Sequence, residues 1–202
     1  MPVAMQWRRL GIPGSESALL EETTRGWLLT GTAVFLHEHQ PCGLAYTIEC
    51  AEDWRTLSAS ISGHIGVNRS DFQIKIMGDS WFVNGEDHPK VKGCIDIDIG
   101  FSPSTNLLPI RRLSLEKGES AQVKAAWLQF PSMKLTPLVQ IYTRKTDTQY
   151  RYKSSESGFV CTIETNHDGF VTSYPGFWHA EGATYHAHAV GPVNSLRELS
   201  GC

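Results

Sequence analysis

Apolar and polar residues alternate with a period of two along almost the whole chain, and the i, i+3, i+4, i+7 apolar spacing of an amphipathic helix is almost absent. A period of two buries one face of an extended strand and leaves the other to solvent, so the chain reads as all-β. Leu57, Ala59 and Ile61 alternate with Thr56, Ser58, Ser60 and Ser62; Phe72, Ile74 and Ile76 alternate with Gln73 and Lys75. Met77-Gly78-Asp79-Ser80 turns the chain into Trp81-Phe82-Val83, and Asn84-Gly85 is a dipeptide suited to a tight hairpin. Ile95, Ile97, Ile99 and Phe101 alternate with Asp96, Asp98 and Gly100 in the sharpest two-faced strand, which stops at Ser102-Pro103. Residues 121–130 are more uniformly apolar, as expected of a strand covered on both faces, before Pro131 ends its ladder. Val139, Ile141 and Thr143 alternate with Gln140, Tyr142 and Arg144. Residues 150–152 and 159–163 follow, and Asn166-His167-Asp168-Gly169 closes a hairpin into Phe170-Val171. The expected fold is a large, antiparallel, strongly curved sheet of about a dozen strands, forming an open or closed barrel with little helix.

A chain of 202 residues can bury roughly 70% of its unfolded surface, and no repeat, charge block or Ser/Gly linker divides it, so residues 1–202 are read as one domain. The tail at 180–202 is weakly patterned and expected to be flexible, with at most a turn or two of helix at residues 194–199. Eighteen Lys and Arg against 21 Asp and Glu leave a net charge of −3, which lacks the positive field needed for non-specific binding to nucleic acid. No apolar stretch of signal-peptide or membrane-spanning length is present, so a soluble cytoplasmic protein without integral membrane association is expected. Cys42, Cys50, Cys94, Cys161 and Cys202 are odd in number and form no C-x-x-C pair, and they read as reduced, mostly buried thiols.

Neither the nucleotide-binding glycine loops, the G-x-S-x-G elbow nor H-E-x-x-H occurs. His37/His39 and His186/His188 would each place two imidazoles on one strand face, but a metal needs more convergent ligands than a pair, so no metal or cofactor is expected. Asp96 and Asp98 share a face at roughly 6.5–7 Å, within the range of inverting-glycosidase carboxylates, which keeps a carbohydrate-active enzyme open as an alternative. Arg111 and Arg112 follow Pro109-Ile110 and precede Leu113, so at least one is expected to face an apolar interior, paired with a carboxylate or an anionic ligand. Trp54, Trp81, Trp127 and Trp178 are expected to pack inside. A purely structural or protein-interaction domain is the third alternative.

The 21-residue run from Gly93 to Leu113, with Ile95-Asp96-Ile97-Asp98-Ile99-Gly100-Phe101-Ser102-Pro103 and then Asn106-Leu107-Leu108-Pro109-Ile110-Arg111-Arg112, resembles the "putative glycolipid-binding" family, formerly a domain of unknown function. Ala125-Ala126-Trp127, Phe130-Pro131, Pro137 through Arg144, Tyr150-Arg151-Tyr152, and Asp168-Gly169-Phe170-Val171 before Tyr174-Pro175 resemble its later blocks in order. Tyr46, Cys50 and Trp54-Arg55 fit an earlier one. The recognisable blocks run from about Trp27 to Trp178; residues 1–14 and the tail match none. The resemblance implies a curved, incompletely closed antiparallel barrel that shields acyl chains, and hence non-catalytic binding of an amphipathic small molecule such as a glycolipid. In that reading Asp96, Asp98, Asn106, Arg111, Arg112, Gln140, Tyr142 and Arg144 select the head group at the mouth of a cavity. The tail lies in a lumen left by the wide sheet.

Overall fold

The computed structural model describes residues 2–155 and 158–185. Among these, the first half forms β1 (Val3–Arg9), β2 (Gly14–Thr23), β3 (Gly26–His37), β4 (Gln40–Cys50), β5 (Thr56–Ile65), β6 (Asn68–Met77), β7 (Ser80–Val83) and β8 (Glu86–Asp87). A short 3-10 turn, Pro89–Val91, leads to β9 (Asp96–Ile99). A second 3-10 turn, Ser104–Asn106, runs into α1 (Leu107–Leu113), the one α-helix among the described residues. The remaining strands are β10 (Ser120–Leu128), β11 (Leu135–Arg144), β12 (Gln149–Ser154), β13 (Val160–Thr165), β14 (Val171–Tyr174) and β15 (Trp178–Tyr185).

All fifteen strands belong to one sheet, in the order β8-β7-β6-β5-β4-β3-β2-β1-β15-β14-β13-β12-β11-β10-β9. The sheet is two meanders joined where β1 pairs with β15, so the first and last strands lie in its middle. Register shifts at Gln6/Trp7, Glu49/Cys50 and Glu164/Thr165 add the local twist that bends so wide a sheet. The expectation of a wholly antiparallel sheet needs one correction. β9 pairs in parallel with β10, with Asp96 opposite Ala125 and Asp98 opposite Trp127. Parallel neighbours require a crossover, and residues 100–119, including α1, supply it. The helix is hidden in the sequence, where Leu107-Leu108-Pro109-Ile110 looks like an extended apolar run. Pro109 is tolerated as the third helical residue, where the missing N–H has no intrahelical partner in any case.

β10 is covered on both faces, as its composition predicted. Ala126 and Leu128 join Ile97 and Ile99 in a core shared with the β1–β7 meander, while Val123 joins Tyr142, Tyr150, Tyr152 and Ile163 in a second core. Every residue from 101 to 110 is buried. This segment touches both meanders: Ser104 meets Tyr46 on β4, and Asn106 meets Tyr142 on β11. The wide lumen expected from strand number is therefore largely filled by the chain itself. The crossover has to pass inside the curved sheet, and its apolar side chains occupy the space an empty barrel would leave.

The two outer strands, β8 and β9, are not paired, and the sheet is open there. The gap is pinned by few bonds. The Ile97 amide donates to Thr56 Oγ1 at 3.0 Å, the Thr56 amide donates to the Ile95 carbonyl at 3.2 Å, and the Trp81 indole N–H donates to the Cys94 carbonyl at 3.1 Å. Thr56 is buried, so Thr56→Val leaves the Ile97 amide without an acceptor. A loss of about 1–3 kcal/mol in urea unfolding is expected, with faster exchange of the Ile97 amide; wild-type exchange at that amide would contradict this role.

Candidate functional site

A pocket of about 240 Å³ opens beside the crossover, with Asp98 and Asn106 on one side and Trp127, Tyr152, Tyr174 and Phe177 among its aromatic lining. β9 places Asp98 there because Asp96 and Asp98 share the face directed at the second core, as alternation requires. The Asp98 carboxylate accepts from Gln140 Nε2 at 2.6 Å and from Thr105 Oγ1 at 3.2 Å. Gln140 is itself buried and also donates to the Tyr152 hydroxyl at 3.0 Å, so it holds the acid against the aromatic wall. Burial pushes the Asp98 carboxyl up to about 6; the Thr105 and Gln140 hydrogen bonds oppose this. The Tyr142 hydroxyl donates to Asn106 Oδ1 at 2.9 Å, and Asn106 Nδ2 donates to the Pro103 carbonyl at 3.2 Å. Gly100 makes the pocket shape possible: a β-carbon there would lie 2.9 Å from the Trp127 indole nitrogen.

The polar set expected at one cavity mouth divides into three places. Asp98, Asn106, Gln140 and Tyr142 gather at the pocket. Asp96 and Arg112 form a separate ion pair, with Arg112 Nε to Asp96 Oδ1 at 2.9 Å and Nη2 to Oδ2 at 2.6 Å, the Asp96 side chain only 1% exposed. Arg111 is exposed, with its guanidinium 4.9 Å above the Trp54 ring, in a distinct polar pocket of about 260 Å³ that Arg144 also lines. Arg144 is committed to the local loop, donating to the Leu115 carbonyl at 2.7 Å and the Thr146 carbonyl at 3.2 Å. The expectation that one arginine pairs inward holds for Arg112. Helical geometry turns its neighbour Arg111 away, since adjacent helical residues do not share a face.

A buried cluster that the sequence motifs do not mark lies behind the pocket. Glu16, 1% exposed, accepts from the Ser102 hydroxyl at 2.5 Å and the Tyr46 hydroxyl at 2.7 Å, and Ser104 Oγ lies 2.7 Å from the Tyr46 hydroxyl oxygen. Tyr46 lies across Gly31, its cross-strand partner, where any β-carbon would collide with the phenol. Burial pushes the Glu16 carboxyl up to about 8, against the Ser102 and Tyr46 hydrogen bonds and the nearby Arg9 charge. Arg9 lies 4.4 Å from the Phe35 ring and 5.5 Å from the Trp178 ring. Ser102 and Trp178 also line the pocket, so the cluster adjoins it directly. A signal was present in the sequence: Glu16 shares a strand face with Ala18 and Leu20.

Cys42, Cys50 and Cys94 are buried, Cys161 is half-buried, and all four are unpaired; Cys202 lies outside the described residues. His37 packs edge-on against Phe130 at 4.9 Å and His39 sits in a turn with φ of 65°, while His186 and His188 lie outside the described residues. Among the described residues no group of three or more His, Cys, Asp or Glu side chains is placed to hold a metal ion. No helix of the described residues is long and apolar enough to cross a membrane.

The sequence profile of the family described as "Putative glycolipid-binding" matches residues 4–180. The chain belongs to this family. The match begins well upstream of Trp27 and takes in most of residues 1–14, which corrects the expectation that this segment lies outside the family blocks. The reason is structural, because β1 pairs with β15 in the middle of the sheet and is integral to the family fold. The crystal structure of a DUF1089 family protein from Pseudomonas aeruginosa is similar over 87% of this chain and 91% of its own, with 28% identity and a TM-score of 0.67. A beta-barrel-like protein of the domain of unknown function DUF1849 from Brucella abortus shares the fold at 8% identity, with 90% of this chain and 96% of its own covered and a TM-score of 0.55. No curated protein matches the chain.

Proposed function

We propose that this protein is a soluble, cytoplasmic binding protein for a sugar-bearing amphipathic molecule, which it holds and releases without chemical turnover. The observation that carries this reading is the Asp98 carboxylate, fixed by Gln140 and Thr105 against Trp127, Tyr152, Tyr174 and Phe177 in an open pocket. A sugar ring presents hydroxyls at its edge and C–H groups on its faces. The carboxylate and the Asn106 amide suit the former, and the electron-rich faces of aromatic rings suit the latter. At about 240 Å³ the pocket is smaller than the ~300–1,000 Å³ spaces that enclose drug-sized ligands, which fits one ring better than a ring with its alkyl chain. The family description supports a glycolipid as the class of ligand.

The enzyme alternative built on Asp96 and Asp98 loses its second carboxylate. Both Asp96 oxygens are held by Arg112, out of contact with solvent. Binding of short-chain glucosyl, galactosyl and mannosyl lipids below their micellar concentrations, followed by tryptophan fluorescence, tests the proposal. At least one is expected to bind, with Asp98→Asn weakening it by roughly tenfold to a hundredfold through loss of a charged hydrogen-bond acceptor. Absence of binding across the panel, or unchanged affinity in both Asp98→Asn and Trp127→Ala, would overturn it.

A further inference from the structure

A second space of about 460 Å³ lies at the open seam, between the β6–β8 end of the sheet and the β10–β11 hairpin. Phe72 on β6, Val83 on β7, Leu128 on β10, and Met133 and Leu135 at the hairpin form its apolar surface. Leu128 and Leu135 belong to the first core and Phe72, Val83 and Met133 pack against it, so the groove is a lateral opening into the hydrophobic interior. Trp127 and Leu128 alternate along β10, which puts the seam groove and the Asp98 pocket on opposite faces of that strand. The two spaces are separate.

The rim is positively charged. Lys90 and Lys134 both line the groove, and the ion pairs among the described residues use neither. His88 stands beside them and Asp87 is the acidic group on the same rim. Two ammonium groups against the one carboxylate of Asp87 leave the edge of this apolar slot with a net positive charge that an uncharged lipid would not use. A long-chain carboxylate complements both features at once, with methylenes against Phe72, Val83, Met133 and Leu135 and a head within reach of flexible lysine stems. The unpaired edge of β8 borders the groove, which leaves its side open to a linear chain. The volume lies within the ~300–1,000 Å³ range typical of ligand sites.

We propose that the seam groove is a binding site for one long-chain fatty acid carboxylate, held by Lys90 and Lys134 and independent of the sugar-binding pocket. Titration of the full chain with C10 to C16 fatty acids is expected to show one site. Affinity should rise about fourfold per added methylene until the groove is filled. Hexadecanol should bind about tenfold more weakly than hexadecanoate at low salt, a difference that shrinks in 0.5 M salt. The exposed Lys90→Gln/Lys134→Gln double variant should abolish that difference while folding normally, and Asp87→Asn should tighten binding. A diazirine-bearing hexadecanoate should label peptides within residues 72–90 and 127–136. Equal affinity for alcohol and acid in the wild type, undiminished acid binding in the double lysine variant, or label confined to residues 98–106 and 152–178 would each overturn the assignment. Asp98→Asn leaves this site intact, so failure of the sugar reading and failure of this one register in different variants.

Discussion

Arg112→Ala is expected to lose about 3–5 kcal/mol of unfolding free energy at pH 7, enough to unfold much of a domain of ordinary stability. The reason is the partner left behind. Asp96 has a side chain 1% exposed, and Arg112 supplies both hydrogen bonds to its carboxylate. Burial raises the Asp96 carboxyl and the Arg112 pair draws it back, while the same pair raises the guanidinium. Removing the arginine strands a charge that must be protonated or hydrated in place. Arg111→Ala, one residue away, removes an exposed guanidinium over the Trp54 ring and should cost less than about 1 kcal/mol. Replacing both members, as Asp96→Leu with Arg112→Met, should restore much of the loss, because a well-packed apolar pair needs no desolvation. Urea unfolding of the four proteins checks the pattern, and equal losses for Arg111→Ala and Arg112→Ala would contradict it.

Glu16 governs a second large effect, on the dependence of stability on pH. Its carboxyl ionises near 4.5 in the unfolded chain and near 8 in the folded one. Below about pH 4.5 both states hold the proton and the group is neutral to stability in either. Between about 4.5 and 8 the folded state retains a proton that the unfolded state has released, so unfolding free energy falls steadily as pH rises. It levels off above 8, after a decline on the order of 5 kcal/mol. Asp98 acts with the same sign over a lower window, from near 3.8 to about 6. Glu16→Gln retains an acceptor for Ser102 and Tyr46 and cannot ionise. It should match the wild type near pH 5, exceed it by several degrees in Tm at pH 8.5, and flatten the upper part of the profile. Parallel profiles for the two proteins would show that Glu16 ionises freely in the fold.

Strand positions were legible because alternation is local. The Asn84-Gly85 turn, the two-faced strand at Asp96–Ile99 and the doubly covered β10 follow from residues within a few positions of one another. The pocket was legible in part. Asp98, Asn106, Gln140 and Tyr142 meet across distances along the chain, yet each is a polar residue set beside apolar neighbours in the sequence. Glu16 carried the same mark, among Ala18 and Leu20, at a position that no other polar motif drew attention to. Arg111 and Arg112 could not be told apart in an extended reading. Their separation depends on α1, and α1 is hidden by Pro109.

The sequence by itself determined that this chain is a sheet of many strands, that Asp96 and Asp98 point the same way, and that an inward-facing arginine needs a carboxylate. Those conclusions follow from a period of two and from the cost of burying charge, both of which act residue by residue. Tertiary structure alone decided that residues 101–110 fill the hollow of the curved sheet, that Asp96 is sealed while Asp98 faces a pocket, and that the sheet opens between β8 and β9. A crossover's path and the meeting of two distant sheet edges depend on accumulated twist over fifteen strands, which no local pattern encodes.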